Sequence, residues 1–333
     1  MRSAHGTWKG LMSDFSNYSR VRNSRARLAV ALSALLSACL FVSSFASAEA
    51  TAAQQVFPSP AAAASALVAA GKADDMKTLS YILGPDADQV LSSGDPVADN
   101  NARNDFVRRY QEMHRLAYDD QGRVILYIGA ENWPVPIPLV KKNGGWVFDT
   151  AAGKEELLYR RVGRNELFTI NVLEDLADAQ AEYASEARDG EGTGQFAQKI
   201  LSDTGKRNGL YWAAAEGQAE SPIGPLVASA TAEGYRRNSG GNPIPFHGYY
   251  YKVLTRQGKN APGGARSYLV NGKMTKGFAF LAYPAEYRAS GVMTFMINQD
   301  GVIVQKDLGP DTAKLASEIA EFNPDKTWQE VNE

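Results

Sequence analysis

The chain has 333 residues, of which 44% are hydrophobic and 22% are charged, and its net charge at pH 7 is -2. It contains a single cysteine, which excludes a disulfide within the chain, so a folded core has to be held together by burial of apolar side chains. Of its three histidines only His114 and His247 follow residue 48, so a three-histidine metal site is excluded in that part of the chain. We therefore expect no metal and no cofactor.

Residues 1–48 have the pattern of a secretory signal peptide with a long basic leader. Four arginines between positions 20 and 27 precede an apolar run at 28–38, and Ala46-Ser47-Ala48 supplies the small residues of a cleavage site. Met12 is an alternative start. The pattern predicts a protein that is exported to the periplasm or to the outside of the cell, with no transmembrane segment once the leader is removed.

Cys39 gives the leader an alternative interpretation. Leu36-Ser37-Ala38-Cys39 matches the short pattern at which bacterial lipoproteins are cleaved and lipidated, which would tether the protein to a membrane. The apolar residues Leu40-Phe41-Val42 continue beyond the cysteine, where a lipoprotein ordinarily turns polar. The lipid anchor is therefore the less favoured alternative.

The chain after residue 48 has 29 basic and 36 acidic residues, which is a net charge of -7. This balance argues against nucleic acid and against an anionic membrane surface as partners, and leaves an envelope protein or a small ligand. The 285 residues of this part exceed the usual size of one domain. We predict two modules, at 49–163 and 164–333, in an α+β fold.

The first module has the pattern of helices followed by a curved antiparallel sheet. Apolar periodicity and Gly or Pro stops predict helices at 60–70, 74–83 and 99–118. Strand patterns follow at 124–129, 135–141 and 145–149, with a hairpin turn at Asn143-Gly144. This order of elements resembles the cystatin-like cone of nuclear transport factor two and its relatives. The resemblance implies a cone interior that could bind a small molecule, with a lining that would include Tyr110, His114, Tyr127 and Trp133.

The second module has the pattern of a long helix followed by an antiparallel sheet. Helices are predicted at 153–159 and 165–188, then a glycine-rich connector at 189–194 and a long irregular excursion at 201–241. Aromatic and β-branched runs predict strands at 249–254, 277–283, 292–297 and 302–306, the last two joined by an Asp300-Gly301 turn, before a helix at 312–321.

Several runs of the sequence are distinctive. They are Asn132-Trp133-Pro134-Val135-Pro136, Arg160-Arg161-Val162-Gly163-Arg164-Asn165-Glu166, and the stretch from 249 to 309 that begins YYYKVLTRQGKNAPGG. Together they resemble an uncharacterised exported bacterial family, domain-of-unknown-function family 2950. That family carries no established activity, so the resemblance implies no catalytic residues. The helix and sheet of the second module also resemble the globular head of type IV pilins and pseudopilins.

Candidate functional residues cluster in the second module. His247 precedes the tyrosine run that begins at Tyr249, and Glu286 lies between Tyr283 and Tyr287 after a strand-ending proline. A carboxylate amid aromatic side chains could act as a general acid or hold a sugar. We expect a non-enzymatic cell-envelope or extracellular binding or assembly protein. The alternatives are a secreted hydrolase that uses Glu286 and His247, and small-molecule binding in the first module.

Overall fold

The computed structural model describes residues 54–190, 192–215, 217–236 and 243–331. The predicted signal peptide, the alternative start at Met12 and the lipidation pattern at Cys39 lie outside these residues. Residues 49–333 form one compact unit, and the predicted division of this unit into two modules at 163/164 stays a prediction.

The described chain is an α+β fold, as the sequence predicts. Its helices are α1 (Pro60–Lys72), α2 (Met76–Leu83), α3 (Ala87–Leu91), α4 (Pro96–Glu112), α5 (Thr150–Ser185), α6 (Gly224–Ala232) and α7 (Thr312–Glu318). The strands are β1 (His114–Tyr118), β2 (Val124–Ile128), β3 (Trp133–Pro134), β4 (Leu139–Lys142), β5 (Gly145–Phe148), β6 (Tyr249–Leu254), β7 (Arg256–Gln257), β8 (Arg266–Ser267), β9 (Leu269–Val270), β10 (Lys273–Met274), β11 (Ala279–Pro284), β12 (Met293–Asn298), β13 (Ile303–Asp307) and β14 (Gln329–Glu330).

The first sheet has the order β1-β2-β4-β5, with β3 paired to β2, and all its pairs are antiparallel. Val124, Leu126 and Ile128 alternate along β2 and are buried, because α1 to α4 cover this face of the sheet. The Asn143-Gly144 turn has positive φ at both residues, 53° and 78°, which is the conformation that this dipeptide favours in a two-residue hairpin.

The helix predicted at 99–118 is wrong after residue 112. The α4 helix ends at Glu112 and residues 114–118 form β1, in which His114 pairs with Ile128. The turn explains the difference: the Asp119 carboxylate accepts hydrogen bonds from the backbone N–H groups of Gln121 and Arg123. This turn closes a hairpin with β2, and the tertiary pairing overrides the helical spacing of apolar residues.

The two helices predicted at 153–159 and 165–188 are in fact one helix of 36 residues, α5. Gly163, beside the predicted boundary, lies within this helix. A Cβ at Gly153 would overlap the backbone of Pro136, so the glycine lets α5 pack directly against the first module. The first half of α5 contacts the hydrophobic core between α1 to α4 and the first sheet, through Leu157. The other half contacts a second core, under the second sheet, through Leu173 and Leu176.

The second sheet has the order β14-β13-β12-β11-β6, again antiparallel throughout. Its strands lie close to the positions expected from sequence, although Pro284 still pairs with Tyr249 at the end of β11. The excursion at 201–241 contains the helix α6, and α7 ends at Glu318, three residues earlier than expected. Buried residues such as Phe280, Phe295 and Leu173 form the second core between this sheet and α5.

Candidate functional site

A cavity of about 490 Å³ lies between helices α1 to α4, strand β2 and the first half of α5. Its buried apolar walls come from α1, α2, β2 and the segment that follows β3, namely Leu67, Leu79, Leu83, Ile128, Val135 and Ile137. Leu91 and Leu157 complete the apolar lining at half-buried positions. The cavity is therefore a mainly apolar space whose walls are α1 to α4, β2 and the first half of α5.

Five arginines also line this cavity, against two aspartates. They are Arg103 and Arg109 of α4 and Arg160, Arg161 and Arg164 of α5, and the aspartates are Asp99 and Asp105. The arginines are half-buried or exposed, whereas most of the apolar lining is buried. The charged side chains consequently border solvent and the apolar walls lie deeper.

Three of the arginines are paired with carboxylates. Arg103 lies 2.7 Å from Asp74, Arg109 lies 2.8 Å from Asp105, and Arg160 lies 2.7 Å from Glu156. The Arg160 guanidinium also lies 5.0 Å from the centre of the Trp133 ring, which is a cation–π contact.

Arg161 is held differently. It donates hydrogen bonds to the backbone carbonyl of Ser92, at 3.0 Å, directly after α3, and to that of Val90 in α3 itself. Burial lowers the pKa of its guanidinium from the usual value, Asp99 acts in the opposite direction, and neighbouring Arg164 lowers the pKa further. Arg161 therefore fixes α3 against α5 at the edge of the cavity, and it stays charged near neutral pH.

The expected lining of the first module includes Trp133, which does line the cavity, and three residues that do not. Tyr110 and His114 stack on each other, with ring centres 3.8 Å apart, and the His114 Nδ1 lies 2.9 Å from the Tyr110 carbonyl. Tyr127 alternates with the inward-facing Ile128 along β2 and packs under the guanidinium of Arg115 at 3.8 Å. Strand alternation thus places Tyr127 on the opposite face from the cavity.

His247 belongs to a separate polar cluster around Asp95. One oxygen of this buried carboxylate accepts from the N–H groups of Val97 and Ala98 at the start of α4, both at 3.1 Å. The other accepts from the Tyr235 hydroxyl and from the Gly248 N–H, both at 2.9 Å. Asp95 therefore links the first module to the segment that leads into β6.

Within this cluster the His247 side chain is held between Glu233 and Phe168. Its Nε2 lies 2.7 Å from a carboxylate oxygen of Glu233, and its ring centre lies 3.8 Å from that of Phe168. Burial lowers the pKa of the imidazole, although Glu233 and Asp95 act in the opposite direction. The backbone adopts a positive φ of 49° and its N–H donates to the Tyr235 hydroxyl at 3.1 Å.

Glu286 is exposed and lies in a turn after β11. The turn is closed by Ser290, whose hydroxyl accepts from the Glu286 N–H at 2.9 Å and donates to its carbonyl at 3.0 Å. No ion pair or hydrogen bond between described residues joins Glu286 to His247, and the cavity lining includes neither.

The remaining candidate tyrosines have different environments. Tyr249 is fully buried, and its hydroxyl donates to the Met293 carbonyl at 3.0 Å. Tyr283 packs on Tyr250 with ring centres 5.4 Å apart, and burial raises the pKa of its hydroxyl. Tyr287 donates to the Asp307 carboxylate at 3.1 Å on the surface. These three side chains do not converge on one pocket with His247 and Glu286.

Two further observations concern metal-binding groups and membrane-spanning helices. In the part that the structure describes, His, Cys, Asp and Glu side chains form no group of three or more that could hold a metal ion. None of the described helices is both long enough and apolar enough to cross a membrane.

Fold and cavity together define an α+β protein with an internal space of the size that small molecules occupy. A family model described as "Protein of unknown function (DUF2950)" matches residues 54–331, and the chain belongs to this family. This confirms the resemblance found in the sequence. No curated protein and no solved structure matches the chain, so the resemblances to pilin heads and to the cystatin-like cone stay predictions.

The arginines of the cavity were not singled out by sequence reasoning. Arg160, Arg161 and Arg164 were visible only as part of a family-like run, and Arg103 had no distinguishing pattern. Basic residues on a helix ordinarily indicate a solvated face, and only the packing of α4 opposite α5 brings these side chains to one space.

Proposed function

We propose that this protein is an exported, non-enzymatic binding protein that takes a small molecule with an apolar body into the cavity of its first module. The observation that supports the proposal is the cavity itself: about 490 Å³ with apolar walls from helices and sheet. Sites for small molecules usually have volumes of about 300–1,000 Å³ and predominantly apolar linings. Export to the cell envelope or the medium rests on the leader pattern of residues 1–48.

The positions of Glu286 and His247 favour binding over hydrolysis. A hydrolase of the kind considered above needs both groups within hydrogen-bond reach of one substrate. Here the imidazole Nε2 faces Glu233, and Glu286 lies in a surface turn. The apolar cavity, by contrast, has the form expected of a binding site without any such pair.

Titration with a neutral fluorescent probe tests the proposal. N-phenyl-1-naphthylamine fluoresces strongly only in apolar surroundings, and we expect it to bind the purified protein saturably. Leu91→Trp fills the cavity from its half-buried edge and should weaken binding about tenfold or more, or about 1.4 kcal/mol.

Leu315→Trp is the matched control, because Leu315 is exposed on α7 and does not line the cavity. It should leave the probe affinity unchanged. Absence of saturable binding, or equal affinity in the Leu91→Trp and wild-type proteins, would contradict the proposal.

A further inference from the structure

The charge of the cavity lining identifies the class of ligand more closely than its volume does. Arginines outnumber aspartates by five to two around an otherwise apolar space. The two aspartates have partners of their own: Asp99 accepts from the Ser93 N–H at 3.0 Å, and Asp105 is bound by Arg108 and Arg109. The lining therefore presents a positive charge that its own carboxylates do not neutralise.

The excess charge is concentrated on one side of α5. Arg164 follows Arg160 by four residues and Arg161 by three, so its side chain lies beside both of theirs on the helix. Among the residues described, no carboxylate comes within ion-pair distance of Arg161 or Arg164. Like charges at such spacings destabilise a helix, and an anion bound between them would remove that repulsion.

Unused hydrogen-bond donors point to the same place. The Nε of Arg103 and one terminal nitrogen of Arg160, Nη1, are shielded from solvent and have no acceptor among the described residues. Guanidinium groups only donate, and their planar arrangement of N–H groups fits the oxygens of a carboxylate or a phosphate. The carboxylates that hold these two arginines, Asp74 and Glu156, are largely exposed, and exposed ion pairs are weak.

We propose that the ligand is an amphipathic anion, with an apolar chain between the buried leucines and isoleucines and a carboxylate or phosphate head group bound by Arg160 and Arg164. The proposal rests on the binding function proposed above. Arg161 contributes positive charge to the site while it fixes α3. The ring of Trp133 lines the cavity beside the Arg160 guanidinium. The head group stays at the solvent border, so its desolvation is limited.

Displacement of N-phenyl-1-naphthylamine by ligands that share a ten-carbon chain tests this inference. We expect decanoate or decyl phosphate to bind about tenfold to a hundredfold more tightly than decanol, because hydrogen bonds to charged groups contribute about 1.5–3 kcal/mol. Decyltrimethylammonium should bind more weakly than decanol, and acetate should not displace the probe.

Arg164→Gln is the variant of choice, since Arg164 is exposed and its removal leaves the fold intact. It should reduce the preference for decanoate over decanol about threefold or more, and Arg164→Lys should restore part of it. Arg266→Gln, at an exposed arginine outside the cavity, should behave as the wild type.

The outcomes separate the inference from the function on which it rests. If the probe binds but decanol competes as well as decanoate, the anionic head group is refuted and the binding function stands. If acetate displaces the probe as well as decanoate does, the apolar chain is irrelevant and the inference is refuted. If neither the probe nor any ten-carbon ligand binds, both proposals are refuted.

Discussion

The buried carboxylate of Asp95 carries the clearest prediction for stability. It is fully buried and accepts four hydrogen bonds, from Val97 and Ala98 at the start of α4 and from Tyr235 and Gly248 in the segment between α6 and β6. Asp95→Asn keeps the shape of the side chain and replaces one acceptor oxygen by an NH₂ donor. Whichever way the amide faces, at least one buried backbone N–H then meets a donor.

The expected cost follows from that count. A buried N–H that loses its acceptor costs about 1–3 kcal/mol, so Asp95→Asn should lower the free energy of unfolding by at least this amount. Urea denaturation followed by circular dichroism measures the change, and the midpoint should fall while the slope with urea stays constant.

Asp75→Asn provides the matched control. Asp75 also caps a helix, accepting from the Thr78 N–H and hydroxyl, but it lies at the surface, and asparagine is an equally good helix cap. Its stability should change little. If Asp95→Asn were as stable as the wild type, or lost no more than Asp75→Asn, the linking role of Asp95 would be refuted.

Further substitutions test other contacts. Gly291→Ala places a Cβ on the buried hydroxyl of Tyr249 and should cost about 1–3 kcal/mol, whereas Gly163→Ala, on an open face of α5, should stabilise by about 0.5–1 kcal/mol. Gly163→Pro should cost about 3 kcal/mol or more because α5 is continuous through this position. Lowering the pH through about 6.5 should reduce stability, because the unfolded chain protonates His247 more readily than the folded protein, whose imidazole has a lowered pKa. The loss should level off below the lowered pKa, and His247→Asn, which tolerates the positive φ, should make the pH dependence shallower.

Each of these predictions would be contradicted by one specific result. A stable Gly291→Ala protein would show that the Tyr249 ring is not packed on Gly291. A proline tolerated at Gly163 would favour a flexible boundary between two modules over a continuous helix. A pH dependence that is equal with and without His247 would assign it to other groups, of which Glu233, Asp95 and Arg164 act on this imidazole.

The second sheet was predictable because its signals are local. Runs such as 249–254 and 292–297 are rich in aromatic and β-branched residues, and Asp300-Gly301 specifies the turn between two of the strands. Neighbouring strands in sequence then pair in space, so the register follows from the turns. A local cap also begins α1: the Ser59 hydroxyl accepts from the Ala62 N–H at 3.1 Å.

The errors lie where tertiary contacts decide. Ala117 continues the helical spacing of Phe106, Tyr110 and Met113, and only the pairing of residues 114–118 with β2 makes this segment a strand. Gly163 suggested a boundary, but a glycine in open space costs a long helix only about 1 kcal/mol, which packing on two cores easily offsets. Local sequence holds no information about either partner.

For the same reason, the cavity could not be inferred from the sequence. Its arginines on α4 are more than 50 residues away in the sequence from those on α5, and the two groups face each other only in the folded chain. Trp133 was the one expected lining residue that reaches the cavity. Asp95 carried no sequence signal beyond that of a helix cap before Pro96.

The most direct test is a crystal structure of the protein soaked with 10-bromodecanoate. The anomalous signal of the bromine should lie among Leu79, Leu83 and Ile137, and the carboxylate should lie within hydrogen-bond distance of Arg160 or Arg164. Bromine at the solvent border with the carboxylate in the apolar interior would contradict the proposed orientation. An empty cavity at saturating ligand would contradict the proposed function itself.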